Sequence, residues 1–198
     1  MNKIKAFEKE LEWILNAKIR EFTKIAVEGL PDYFFEVAAS STGKYHPPYA
    51  LGSGGLVRHT KAALKIANDL LSLEMFSNKY NGDDRDLIIV ALMLHDGLKH
   101  GKEYSKYTVA EHPVVAAEYV KEVDKDNILL TKEQAEKLSN MIASHMGQWN
   151  TNKYKREIMP KPQNGIQMFV HLCDYLASRR YLDVDFDGDY YKYEEDTE

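Results

Sequence analysis

The sequence predicts an all-α fold, with one helical domain over residues 1–182 and a short acidic extension over 183–198. Two observations lead to this prediction. Apolar residues recur mainly at the helical spacings of three and four, and the alternation typical of half-buried strands is scarce. The chain has 198 residues, of which 44% are hydrophobic and 29% are charged. This size and composition suit one globular domain.

The N-terminal part of the chain is expected to form two helices and a loop. Apolar residues on one stripe predict a long amphipathic helix over residues 3–27. Pro31 is expected to begin a second, short helix, because proline is favoured in the first helical turn. Glycines and prolines over residues 41–54 predict a loop. Within this loop, residues 45–49 form either a lid over a pocket or only a rigid connection.

The middle of the chain is expected to supply the core. A helix with one apolar face is predicted over about residues 55–73. Residues 86–96 are apolar on every side, which predicts a central, buried helix. The β-branched residues of this run also permit a buried strand, but we favour the helix because the neighbouring segments are helical. Pro113 is expected in the first turn of the next helix, with His112 at its start.

Capping signals define the last two predicted helices. Thr131 and Gln134 have the spacing of a capping box, for a helix that runs to Met146 and is stopped by Gly147. A final helix is predicted over about residues 165–182, because apolar residues again recur at helical spacing.

Composition and charge exclude several classes of protein. No apolar run approaches the roughly 20 residues that a membrane-spanning helix needs, and the first residues lead into charges rather than into a signal-peptide core. Cys173 is the only cysteine, which rules out an intrachain disulfide framework and fits a reducing, cytoplasmic environment. Residues 183–198 contain eight acids and one base, so they carry −7 and residues 1–182 about +2. A nearly neutral body does not favour long duplex nucleic acid as a partner.

Several polar side chains fall where apolar ones are expected. His59 and His145 lie on the apolar faces of their predicted helices, Asp174 aligns with apolar residues on the last helix, and His95 and Asp96 end the buried helix. A single histidine in such a place is commonly a hydrogen-bonded core residue, but a buried carboxylate is costly unless it is paired or coordinated. Together these residues predict a metal site. Imidazole and carboxylate ligands favour Fe, Mn, Zn, Ni or Co over Ca or Mg.

The segments around these residues follow an ordered pattern, H…HD…H…H…D. They read Gly-Gly-Leu-Val-Arg-His-Thr at 54–60, Leu-His-Asp-Gly-Leu-Lys at 94–99, Glu-His-Pro at 111–113, Ser-His-Met-Gly at 144–147 and His-Leu-Cys-Asp at 171–174. On this pattern the sequence resembles the HD-domain superfamily of metal-dependent phosphohydrolases over about residues 50–180. An isolated His-Asp pair would carry no such resemblance. The resemblance implies an HD-type helical bundle.

The resemblance also implies a ligand set for one or two divalent transition-metal ions. The implied ligands are His59, His95, Asp96, His112, His145 and Asp174. Without His112 and His145, this set matches the minimal mononuclear site of the family. With them it resembles the binuclear subset, in which Asp96 would bridge two ions. Lys99 matches the lysine of the family that contacts the substrate phosphate, so Asp96 and Lys99 are the expected catalytic residues.

The activity implied by the resemblance is hydrolysis of a phosphoester bond by water that the metal centre activates. The expected substrate is a nucleotide or a short oligonucleotide. The binuclear subset includes certain 3′→5′ exoribonucleases, but those carry a separate nucleic-acid-binding domain, and none precedes this core. Two alternatives stay open, a mononuclear nucleotidase or dNTP triphosphohydrolase, and a non-catalytic nucleotide sensor that retains its metal site. The sequence leaves the oligomeric state open.

Further residues are candidates for supporting roles. Arg179 and Arg180 are placed either to clamp a distal phosphate or to end a surface helix. Trp149 is placed either to stack on a base or simply to pack. His171 is expected to support a metal ligand. The acids over residues 183–194 mimic a calcium-binding loop, but we favour a solvated extension.

Overall fold

The computed structural model describes residues 2–40, 43–152, 154 and 156–182, together with the backbone of 186–187 and 190–191. These residues form a single, almost entirely helical domain, which confirms the predicted all-α fold. The α-helices are α1 (Lys3–Ala6), α2 (Glu8–Leu11), α3 (Ala17–Glu28), α4 (Gly55–Leu71), α5 (Glu74–Ser77), α6 (Asp83–Leu94), α7 (His112–Val123), α8 (Lys132–Ala143) and α9 (Gly165–Ala177). Short 3₁₀ turns occur at Asp32–Phe35, Pro48–Ala50, Gly147–Trp149 and Arg180–Leu182.

The first helical region differs from its prediction. The single helix expected over residues 3–27 is divided into α1, α2 and α3, so that prediction is wrong. The break before α3 lies at Asn16, whose side chain accepts hydrogen bonds from the backbone N–H groups of Lys18 and Ile19. Asn16 also donates its own backbone N–H to Asp86 on α6, at 2.7 Å. Capping and a tertiary hydrogen bond therefore outweigh a continuous helical pattern.

Helix α6 is the centre of the domain. Every residue from Asp86 to Leu94 is buried, and α6 packs against α3, α4, α8 and α9. A helix that is apolar on every side needs such a complete enclosure. The structure confirms the helical interpretation of this run and excludes the buried strand.

The later helices begin where the sequence predicts. Pro113 lies in the first turn of α7, directly after His112. The capping box of Thr131 and Gln134 is present, with each side chain bonded to the backbone N–H of the other residue. Helices α8 and α9 each end a few residues before the predicted boundary, and 3₁₀ turns follow. The turn after α8 passes through Gly147, which has φ +58°.

The acidic segment contains a short antiparallel ladder that the sequence does not predict. Strands β1 (Phe186–Asp187) and β2 (Tyr190–Tyr191) pair, with Phe186 opposite Tyr191. Most of the predicted extension over 183–198 lies outside the described residues, and the calcium-loop pattern falls there. The described part of the chain contains no helix with the length and apolar character to cross a membrane.

Contacts among five helices place the functional groups. Helix α4 packs against α6 and α9, and α8 packs against α6, α7 and α9. As a result, the first turns of α4, the end of α6, the start of α7, the end of α8 and the middle of α9 approach one another. The predicted metal ligands lie at these five places.

Candidate metal centre

All six predicted ligands meet in one place. His59 comes from α4, His95 and Asp96 from the end of α6, His112 from the start of α7, His145 from the turn after α8, and Asp174 from α9. The four histidines and Asp96 are each at most 2% exposed. The helical core therefore turns a set of ionisable groups inward, which is costly unless they pair or bind a cation.

One cluster of ligand atoms consists of His59, His95 and Asp174. The Oδ1 atom of Asp174 lies 2.9 Å from Nε2 of His59 and 3.4 Å from Nε2 of His95. These three atoms lie within 4.8 Å of one another, which leaves room for a shared metal ion. We refer to these three residues as the first cluster.

Asp96 faces two sets of histidines with its two oxygens. Its Oδ2 lies 3.6 Å from Nε2 of His95 and 3.9 Å from Nε2 of His59, both in the first cluster. Its Oδ1 lies 3.0 Å from Nε2 of His112 and 3.7 Å from Nε2 of His145. We refer to His112 and His145 as the second cluster. This is the arrangement in which one carboxylate can bridge two metal ions.

The histidine tautomers favour cation binding. His95, His112 and His145 each place Nδ1 at 2.7–2.8 Å from a backbone carbonyl oxygen three residues earlier, those of Leu92, Val109 and Ile142. A carbonyl only accepts, so each Nδ1 carries a hydrogen, and each ring, when neutral, turns a lone pair toward the centre through Nε2. Within the described chain, Nε2 of His95 and of His112 are buried without a hydrogen-bond partner. A lone pair on His112 facing an Asp96 oxygen at 3.0 Å needs a proton or a metal ion between them.

The electrostatics of the centre keep its carboxylates ionised. Burial alone would raise the pKa of Asp96, but Lys99 and His95 hold it well below its usual range. Burial alone would lower the pKa of His95, but the carboxylates of Asp96 and Asp174 raise it to about 9. Burial and the neighbouring His95 lower the pKa of His145 to about 3. The ammonium of Lys99 lies 2.6 Å from Oδ2 of Asp96, on the side of the first cluster.

The centre opens into a cavity of about 270 Å³. At its outer end Trp149 stacks on Tyr175, with ring centroids 5.4 Å apart and an angle of 11° between the planes. The guanidinium of Arg179 lies 4.6 Å from the ring centroid of Tyr175 and 5.6 Å from that of Tyr45. We call Tyr45, Trp149, Tyr175 and Arg179 the aromatic rim. The cavity is lined by this rim and by His46, His59, Asp96, Lys99, His145, Met146, His171, Asp174 and Ser178.

The structure places some of the predicted substrate-binding residues in the cavity lining and one of them outside it. Trp149 and Arg179 line the cavity, and Trp149 remains 44% exposed although it packs on Tyr175. Arg180 is exposed in the 3₁₀ turn after α9 and lies outside the cavity lining. Its contact with a distal phosphate therefore stays a prediction.

From the sequence, His46 is expected only as part of the 45–49 loop, a lid or a rigid connection, and Tyr175 has no expected role, yet both line the cavity. The sequence feature that could have identified His46 is its place in a proline-rich loop just before the first ligand. For Tyr175, the feature is its place directly after Asp174. His171 supports a ligand as expected, because its Nδ1 donates to the carbonyl oxygen of His145 at 2.6 Å.

Comparison with known proteins gives one match. The family model described as HD domain matches residues 56–179, more than half of the chain and the whole span of the predicted ligands. No curated protein and no solved structure matches the chain significantly. Members of this family bind divalent metals and are mostly metal-dependent hydrolases, which agrees with the donor set of the two clusters. The chain belongs to the HD domain family.

Proposed function

We propose that the protein is a phosphohydrolase that uses two divalent transition-metal ions to hydrolyse a phosphoester bond in a nucleotide or a short oligonucleotide. One observation carries this proposal. The two oxygens of Asp96 face separate histidine clusters, at 3.0 Å from His112 and 3.6 Å from His95. A mononuclear site has no use for the second cluster, and a pure nucleotide sensor needs no pair of cations.

The residues assign each ion its ligands. The first cluster with Oδ2 of Asp96 would hold one ion, and the second cluster with Oδ1 of Asp96 would hold the other. Imidazole and carboxylate ligands suit Fe, Mn, Zn, Ni or Co. Such ions supply positive charge that binds phosphate and activates water for attack on phosphorus.

Lys99 is placed to bind the substrate phosphate. Its ammonium lies 2.6 Å from Oδ2 of Asp96, on the side of the first cluster, and Lys99 lines the cavity. In the metal-free protein this ammonium balances the charge of Asp96. Metal ions bound to the two clusters would balance that charge, and the ammonium of Lys99 could then donate hydrogen bonds to a phosphoryl oxygen of the substrate.

The aromatic rim supports a nucleotide as the substrate. Trp149 and Tyr45 are 44% and 55% exposed, so aromatic surface is available at the cavity mouth for a base. Arg179 offers a positive charge at the same place, held between Tyr45 and Tyr175. A cavity of about 270 Å³ suits one nucleotide unit rather than a duplex.

Turnover by metal-loaded protein tests the proposal. Protein reconstituted with Mn²⁺ is assayed on a panel of mono-, tri-, cyclic and short oligonucleotides, and at least one should release a phosphate or a nucleotide. Asp96→Asn should reduce that turnover about 100- to 1,000-fold, roughly the effect of losing one essential electrostatic group. Asp69→Asn changes an exposed carboxylate on α4 that pairs with Lys65 and serves as the matched control. Absence of turnover on the whole panel, or an active Asp96→Asn variant, would contradict the proposal.

A further inference from the structure

His46 lines the cavity but is absent from the predicted ligand set. Its ring lies edge-on to that of His59, with ring centroids 5.4 Å apart. Its Nδ1 atom is shielded from solvent and has no hydrogen-bond partner among the described residues. A shielded polar atom without a partner destabilises a fold, and such atoms call for a functional explanation.

The loop that carries His46 is fixed on both sides of it. The backbone N–H of Arg180 donates to the carbonyl oxygen of Tyr45 at 2.9 Å. The hydroxyl of Tyr49 donates to the carbonyl oxygen of Ala177, at the end of α9, at 2.8 Å. Two prolines directly after His46 restrict the main chain further. The imidazole is therefore held in place relative to α9, the helix that carries Asp174.

A fourth metal ligand in the first cluster would be the simplest use of His46, and the distances do not support it. Within the described chain, ligand atoms lie within 4.8 Å of one another in two groups, His59 with His95 and Asp174, and His95 with Asp96 and His145, and neither group includes His46. His46 therefore lies beside the ligands rather than among them. Because its Nδ1 atom is closed to solvent, the part of the imidazole that a bound substrate can meet is the ring edge that lines the cavity.

The place of His46 in the cavity indicates which part of a nucleotide it meets. Its ring contacts His59 at the metal centre, while the preceding residue, Tyr45, contacts Arg179 in the aromatic rim. A nucleotide with its phosphate at the metals and its base at the rim places its sugar between them. A sugar hydroxyl both donates and accepts hydrogen bonds, as does a neutral imidazole.

We propose that His46 is a substrate-contacting residue that hydrogen-bonds a sugar hydroxyl of the nucleotide next to the scissile phosphate. This inference rests on the proposed function, because it takes the substrate to be a nucleotide. The contact distinguishes nucleotides from phosphate esters that lack a sugar. It also fixes the distance between the base at the rim and the phosphate at the metals.

Two non-hydrolysable probes separate a sugar contact from a phosphate contact. The first is the phosphonate analogue of AMP, in which a methylene group replaces the ester oxygen, and the second is methylphosphonate. Both are titrated by calorimetry into the Mn²⁺-loaded full chain. His46→Ala should weaken binding of the AMP analogue about tenfold, the value of one hydrogen bond, and change methylphosphonate binding less than twofold. The Mn²⁺ content of the His46→Ala variant should equal that of the unaltered protein.

His100→Ala is the matched control, because it removes a histidine side chain that lies outside the cavity lining. It should leave both dissociation constants within twofold. Equal weakening of both probes by His46→Ala would overturn the sugar contact, and loss of a Mn²⁺ ion would make His46 a ligand. Unchanged binding of the AMP analogue would also overturn the inference. Failure of the unaltered protein to bind either probe would instead overturn the proposed function, and this inference with it.

Discussion

Replacing His112 by asparagine should remove one metal ion and leave the other. Nε2 of His112 lies 3.0 Å from Oδ1 of Asp96, whereas Oδ2 of Asp96 is the oxygen close to His59 and His95. Asparagine keeps an N–H donor near the position of Nδ1, which donates to the carbonyl oxygen of Val109 at 2.8 Å. The substitution therefore removes the ligand atom and retains the hydrogen bond that holds it.

The size of the effect follows from linkage. Without metal, the retained hydrogen bond should limit the destabilisation to about 1 kcal/mol, or about 2–4 °C in the melting temperature of a chain of this length. An ion supplied at about 100 times its Kd contributes about 2.7 kcal/mol per site, which corresponds to about 5–10 °C. When Mn²⁺ is added, the melting temperature of the unaltered protein should rise by two such increments and that of the variant by one.

Elemental analysis and thermal melts with and without Mn²⁺ measure both quantities. The unaltered protein should hold two ions per chain and the His112→Asn variant one. His100→Asn is the control, because Nδ1 of His100 also contacts a backbone carbonyl oxygen, that of Ser105 at 2.6 Å, yet His100 lies outside both clusters. It should retain two ions. Two ions in the His112→Asn variant would refute the assignment of the second cluster.

Three further predictions concern packing, the cysteine and the substrate. Gly147 has φ +58°, and a Cβ there would collide with the imidazole of His171, so Gly147→Ala should lower the free energy of unfolding by about 1–3 kcal/mol in urea titrations; no change would show that the turn tolerates a side chain. Burial raises the pKa of the Cys173 thiol to about 12, so a thiol reagent at pH 8 should label the native protein far more slowly than the unfolded one. Equal labelling rates for the native and the unfolded protein would contradict the burial of Cys173. Because the pKa of this thiol is higher in the folded than in the unfolded protein, the free energy of unfolding should fall as pH rises above about 9. Cys173→Ala should reduce that fall. Finally, kcat/KM should be higher for a nucleotide or a di- to tetranucleotide than for long RNA or DNA, with little dependence on salt, and deleting residues 183–198 should help long substrates more than short ones; efficiency that rises with length and falls steeply with salt would favour an exonuclease.

The gathering of the six candidate ligands in one place could be predicted, because the sequence pattern that marks them does not depend on tertiary detail. Polar side chains on the apolar faces of predicted helices, such as those of His59 and Asp174, can be expected from the sequence alone to face the core. The sequence could not predict that the two oxygens of Asp96 face different histidine clusters, because that geometry depends on how α6, α7 and α8 pack. The same holds for His46, since a loop histidine carries no periodicity that shows which cavity it faces.

Some predicted helix boundaries differ from those in the structure for another reason. Residues 3–27 have a continuous helical pattern, yet Asn16 ends it by capping α3 and bonding Asp86, 70 residues away. Local signals also explain the successes. The capping box of Thr131 and Gln134 lies within one helical turn, so no distant contact is needed to form it.

Anomalous diffraction from crystals of the Mn²⁺-loaded protein would locate the bound metal ions directly. We expect two anomalous peaks per chain, with Asp96 between them. One should lie against His59, His95 and Asp174, and the other against the second cluster. A single peak in the first cluster, with His112 remote from any metal ion, would contradict the two-metal account and favour a mononuclear enzyme.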